Sequence, residues 1–147
     1  MENPKIVDIL VIDDNSEEIT LIAKIIDINK WNVTFNSVKD GIEAIDYLYK
    51  KGEYKNCKTP SLILLDLNLP KKSGFEVLKE IKTDNILKYI PVVVLTNSDD
   101  NNDVIKSYDL HANAYITKPA DYNKFTEYIH IFKEFWFNVQ LPKNRLI

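Results

Sequence analysis

Four short apolar runs dominate the chain, at residues 6–12, 33–38, 62–65 and 92–95, with a brief fifth at 114–116. Those at 6–12, 62–65 and 92–95 are nearly continuous in Val, Ile and Leu rather than alternating. This is the texture of parallel strands covered on both faces. Helix-period segments separate the runs. Over 17–29, Ile19, Ile22, Ile25 and Ile26 recur at helical spacing behind Ser16, a residue type suited to N-capping. Asp40 with Glu43 predicts a capping box for a helix reaching residue 49, and Ser73 with Glu76 predicts another reaching residue 82. A polar helix is predicted over 100–108 and a long, aromatic-rich one over 121–138. Residues 50–60 read as a loop and 140–147 as a tail. Strand followed by helix, repeated along the chain, predicts a parallel sheet with right-handed crossovers: a doubly wound α/β domain.

Composition narrows the function. With 147 residues, 45% hydrophobic and 28% charged, the chain fits one ordinary domain able to bury its own core. Cys57 is alone and forms no internal disulfide. No apolar run nears the roughly 18 to 20 residues that cross a bilayer, and the first residues lack the pattern of a secretory leader, so a cytoplasmic location is expected. The 19 basic and 22 acidic residues give a net charge of -3, and no basic cluster exceeds Lys50-Lys51 or Lys71-Lys72. A nucleic-acid footprint is therefore absent from the sequence. The three glycines, Gly41, Gly52 and Gly74, cannot form either common glycine-rich phosphate loop.

The residues that end the apolar runs carry the chemistry. Parallel strands place their carboxyl ends together, and ligands of open α/β sheets bind there. The first run ends in Asp13-Asp14, the third in Asp66, the fourth in Thr96 and the fifth in Lys118-Pro119. Taken singly, each reads as a cap or a solvated turn. Taken together, three carboxylates on one edge repel one another unless a cation neutralises them. Hard oxygen donors without His or Cys favour Mg²⁺ over zinc. A metal site with an ammonium and a hydroxyl beside it suits a phosphoryl group.

The stretches VIDDN (11–15), LILLDLNLPKKSGFEVL (62–78), VVVLTNS (92–98) and AYITKP (114–119) resemble the receiver domain of two-component response regulators, over about residues 5–138. The resemblance implies a flavodoxin-like strand order 2-1-3-4-5 with helices on both faces. It also implies that Asp66 accepts a phosphoryl group from a phosphohistidine on a sensor histidine kinase. Asp14, Asp66 and the backbone carbonyl of Asn68 would ligate Mg²⁺, with Asp13 acting through water. Thr96 and Lys118 would bind phosphoryl oxygens, Tyr115 would be the aromatic that moves with Thr96, and the Lys118-Pro119 bond would be cis. Because the resemblance spans nearly the whole length, it implies a receiver without a separate output domain. GEYKN before the third strand, the TNSDD turn, SYDLHANAYITKPA and the aromatic EFWFNVQLP (134–142) are similar to single-domain regulators that partner bacterial phytochrome-type kinases.

Some positions depart from the receiver pattern. His111 stands where most receivers have Gly, and because His tolerates positive φ better than most residues it is expected to cap the fourth helix rather than bind metal. His130 is expected on the surface of the last helix. In that helix Phe125, Ile129, Phe132 and Trp136 form one apolar stripe, while Tyr128, Ile131 and Phe135 form a second. The second either packs under the tail with Leu141 and Pro142 or serves a homodimer through the fourth helix, fifth strand and fifth helix. Two rival functions make different demands on these positions. A phosphatase of the haloacid dehalogenase type needs a second Asp two residues after the nucleophile, where this chain has Asn68. An unphosphorylated receiver-like interaction module normally loses some of the acidic, Thr or Lys positions, all of which are kept here.

Overall fold

The computed structural model describes residues 6–142. The expected tail beyond residue 142 and the first five residues lie outside the described residues. The elements run β1 (Val7–Ile12), α1 (Ser16–Asn29), β2 (Val33–Val38), α2 (Gly41–Leu48), β3 (Leu62–Leu65), α3 (Gly74–Thr83), β4 (Val92–Thr96), α4 (Asn101–Asp109), β5 (Ala114–Thr117) and α5 (Tyr122–Trp136). Short 3₁₀ turns at Gly52–Tyr54 and Leu87–Tyr89 lead into β3 and β4. The five strands are parallel in the order β2-β1-β3-β4-β5, as the resemblance implied.

Two cores explain the continuous apolar runs. Leu10, Ile12, Ile63, Leu65, Val92 and Val94 face one side of the sheet, where Ala44 and Leu48 of α2 and Val77, Leu78 and Ile81 of α3 cover them. Val7, Ile9, Val11, Leu62, Leu64 and Val93 face the other, against Ile22 and Ile25 of α1 and Phe125, Ile129 and Phe132 of α5. Successive strand residues thus alternate between two buried faces, and polar positions in the central strands are confined to Asp8 near the start of β1 and Thr96 at the end of β4.

Capping follows the sequence, with one shift. The N-cap of α1 is Asn15, whose side chain accepts from the N–H groups of Glu17 and Glu18, so the expected cap Ser16 occupies the first helical position. The longer amide side chain of Asn15 reaches both amides. Asp40 caps α2 and accepts from Glu43 N, while the Glu43 carboxylate accepts from Lys39 N and closes the box one residue early. Ser73 caps α3. At the end of α4, His111 has φ 71°. The N–H of His111 reaches Tyr108 O and that of Ala112 reaches Ser107 O, the paired bonds of a Schellman cap.

On α5 the first stripe is buried, with Trp136 partly so, and Phe137 and Leu141 pack against the same core. The second stripe is not covered among the described residues: Ile131 is 65% and Phe135 57% exposed. His130 is exposed and sits edge-on to Trp31. No helix among the described residues is long and apolar enough to cross a membrane.

Candidate functional site

Strand register assembles the site. Ile12 is level with Leu65 across the β1/β3 pair, so Asp13 and Asp66 leave neighbouring strands at the same height. Both are buried, and each has a local partner. Asn15 N donates to Asp13 Oδ1 at 2.9 Å, and Asn68 N donates to Asp66 Oδ1 at 3.1 Å. The start of α3 presses against this loop: a Cβ on Gly74 would lie 2.4 Å from the Asp66 carbonyl oxygen, so only glycine lets the helix approach so closely.

Asp66 is the meeting point. Thr96, fully buried at the end of β4, donates from Oγ1 to Asp66 Oδ1 at 3.1 Å. Lys118 follows β5, its backbone held by Lys118 N to Thr96 O at 2.7 Å. Its Nζ donates to Asp66 Oδ2 at 2.9 Å and to Asp13 Oδ2 at 3.3 Å. Asp14 lies exposed at the rim. Carboxylate oxygens of Asp13, Asp14 and Asp66 can lie within 4.8 Å of one another. Asn68 is exposed two residues beyond Asp66, on the same loop.

Further out, the Tyr115 hydroxyl donates to Ser98 O at 2.7 Å, and Ser98 Oγ donates to Asp103 of α4 at 2.5 Å. The loop after Thr96 is thereby tied to both β5 and α4. The Lys118-Pro119 peptide, expected cis, is trans. Trans is the lower-energy isomer of an X–Pro bond by about 0.5–1 kcal/mol, and Lys118 reaches its carboxylates in that form.

The sequence did not single out Glu18. Two residues into the first turn of α1, it reads as an acidic side chain favoured by the helix dipole. In the fold its carboxylate accepts from Lys118 Nζ at 2.9 Å. No local signal links positions a hundred residues apart.

Burial and charge pull against each other here. Burial pushes the Asp13 carboxyl up to about 6, helped by the Glu18 and Asp66 carboxylates and opposed by the Asn15 N–H and the Lys118 ammonium. For Lys118, burial alone would lower the value, but the Asp13 and Asp66 carboxylates outweigh it and raise it to about 12. Four carboxylates against one ammonium give the cluster a formal charge of three negative. An all-oxygen donor set with surplus negative charge fits a hard divalent cation, which Asp13, Asp14 and Asp66 would hold.

Known proteins share this fold and much of this sequence. The family described as response regulator receiver domain matches residues 9–130. Response regulator Rcp1 of Synechocystis sp. is 42% identical over 140 residues, covering 95% of this chain and 94% of Rcp1. The crystal structure of the phosphorylated cyanobacterial phytochrome response regulator RcpA superposes with a TM-score of 0.90 at 45% identity, covering 95% of this chain and all of that one. The Mn²⁺-bound form of Rcp1 gives a TM-score of 0.89 at 41% identity, covering 93% and 99%. The chain therefore belongs to the response regulator receiver domain family.

Proposed function

We propose that this receiver works by itself as a phosphorylation switch, with Asp66 as the phosphoacceptor in a Mg²⁺-dependent reaction. The observation that carries this reading is the convergence of Thr96 Oγ1 and Lys118 Nζ on the two oxygens of one buried carboxylate, beside two further carboxylates. An Asp66 oxygen forms a bond to phosphorus as the P–N bond of a kinase phosphohistidine breaks, and the electron pair stays on the imidazole nitrogen. A carboxylate is a weak nucleophile and the transition state spreads negative charge over three oxygens, so positioning and positive charge carry the catalysis. Asp13, Asp14, Asp66 and the Asn68 carbonyl would hold Mg²⁺, Asp13 through water; when bound, the ion supplies positive charge opposite the phosphoryl oxygens. Lys118 supplies the second positive charge.

Thr96 and Tyr115 form the switch in this reading. A Thr96 hydroxyl drawn to a phosphoryl oxygen would give up its bond to Asp66, and the change would pass to Tyr115 through the loop that its hydroxyl grips at Ser98. Such a difference in contacts between two states is what a signal requires. The surface that changes would be α4, β5 and α5, where Ile105, Tyr108, Ile131 and Phe135 stand exposed; we assign a homodimer to it. The similarity to RcpA, a phytochrome response regulator, supports a phytochrome-type histidine kinase as donor; we assign the exchange to the cytoplasm.

Incubation with Mg²⁺ and acetyl phosphate, followed by intact mass, tests the phosphoacceptor role. One added phosphoryl mass that disappears in Asp66→Asn is expected; no addition, or addition that survives the substitution, refutes it. Phosphotransfer from a phytochrome-type kinase tests the partner. Sedimentation at tens of micromolar, a range typical of weak interfaces, tests the dimer, and a monomer with and without phosphorylation rejects it.

A further inference from the structure

Lys118 is held by one carboxylate more than the proposed chemistry uses. An ammonium has three N–H donors, and here they meet Asp66 Oδ2 at 2.9 Å, Asp13 Oδ2 at 3.3 Å and Glu18 Oε2 at 2.9 Å. Asp66 takes the phosphoryl group and Asp13 serves the cation. Glu18 has neither task, yet it reaches across from α1 to a lysine whose side chain is only 2% exposed. Its own side chain is 15% exposed and borders a cavity of about 180 Å³ shared with Lys118, Asn97 and Pro119. It therefore has room to turn that Asp13 and Asp66 lack.

We propose that Glu18 is a positioning residue that holds Lys118 from the α1 side and biases the site toward the divalent cation and against an incoming phosphoryl group. This rests on the phosphoacceptor reading of Asp66. Without Glu18, three carboxylates and one ammonium leave two negative charges, which a divalent cation balances. With Glu18 one negative charge remains after the cation is bound. That charge attracts the cation more strongly and repels a phosphate donor. When Asp66 is phosphorylated its carboxylate becomes a neutral acyl linkage, which releases one Lys118 N–H for a phosphoryl oxygen. Glu18 and Asp13 keep the other two, so Glu18 limits how far Lys118 can turn to the phosphoryl group.

The test compares the wild type with Glu18→Gln, Glu18→Asp and Glu17→Gln. Glu17 is the neighbouring exposed carboxylate, directed at the Tyr122 hydroxyl at 3.5 Å, so its substitution removes the same charge without the Lys118 contact. Mg²⁺ affinity is read by calorimetry. Phosphorylation is read by intact mass at saturating Mg²⁺, where the donor's P–O bond breaks, the Asp66–phosphorus bond forms and acetate leaves. Glu18→Gln is expected to weaken Mg²⁺ binding about threefold or more and to lower the half-saturating acetyl phosphate concentration by a similar factor. Glu18→Asp should restore the Mg²⁺ affinity, and Glu17→Gln should stay near the wild type. Glu18→Gln within measurement error of the wild type on both readouts, or matched by Glu17→Gln, overturns the proposal. A wild type that takes up no phosphoryl mass refutes instead the reading of Asp66, and the Mg²⁺ arm still decides whether Glu18 tunes the cation.

Discussion

Two lysines withdrawn from solvent, at opposite edges of the sheet, make an instructive pair. Lys118, at the carboxyl edge, donates to three carboxylates. Lys82, in the last turn of α3, donates to neutral oxygens: Ile90 O at 2.8 Å, Asn113 Oδ1 at 3.0 Å and Lys88 O at 3.2 Å. Both ammonium groups have their hydrogen bonds. Burial nevertheless lowers Lys82 to about 8, while the carboxylates raise Lys118 to about 12. Neutral acceptors satisfy donors but do not replace the solvation of a full charge; carboxylates do both. Lys82 thus fastens the Leu87–Tyr89 turn to the entry of β5, whereas Lys118 keeps a positive charge among the carboxylates at the carboxyl edge.

The largest expected effect comes from Lys118→Met. Removing the one ammonium leaves buried carboxylates uncompensated, and such losses cost about 3–5 kcal/mol. Chemical denaturation with a chelator present should show a drop of that order, and added Mg²⁺ should recover part of it. An unchanged midpoint would mean that the three ion pairs contribute nothing. Lys82→Met should cost less, about 1–2 kcal/mol, because it strands acceptors but also removes a poorly solvated charge.

Changing the pH separates the two lysines with a still smaller effect. The folded value of Lys82, about 8, lies below its ordinary 10.5, so between those values the folded state binds fewer protons than the unfolded state. Relative to Lys82→Met, the wild type should therefore gain stability as pH rises from 8 to 10.5, by less than about 1 kcal/mol once solvent screening is allowed for. The raised value of Lys118 gives the opposite sign in a different window: its contribution is complete below 10.5 and lost as pH rises through 12. The gap between wild type and Lys118→Met should consequently stay flat from pH 8 to 10, and a slope there would contradict the pairing. Smallest of all is Lys71→Ala. Its 3.5 Å bridge to Asp40 is made by a side chain 67% exposed, and the unfolding free energy should move by less than about 0.5 kcal/mol.

The sequence by itself determined the strands, their order of appearance and the chemistry at their ends. Continuous Val, Ile and Leu runs mark strands buried on both faces, and parallel pairing brings Asp13, Asp66, Thr96 and Lys118 to one edge whatever the details of packing. The caps at Asp40, Ser73 and His111 were legible for the same reason: each depends on a residue and its near neighbours in the chain. Only the tertiary structure decided where long side chains went. The contact of Glu18 with Lys118, the three acceptors of Lys82 and the exposure of Ile131 and Phe135 join or separate elements far apart in sequence. The trans Lys118-Pro119 bond, against an expectation drawn from family likeness, belongs with them. Periodicity and capping are properties of a short stretch of chain. The reach of a lysine or glutamate across a packed interface is set by the distances between elements, which no local pattern encodes.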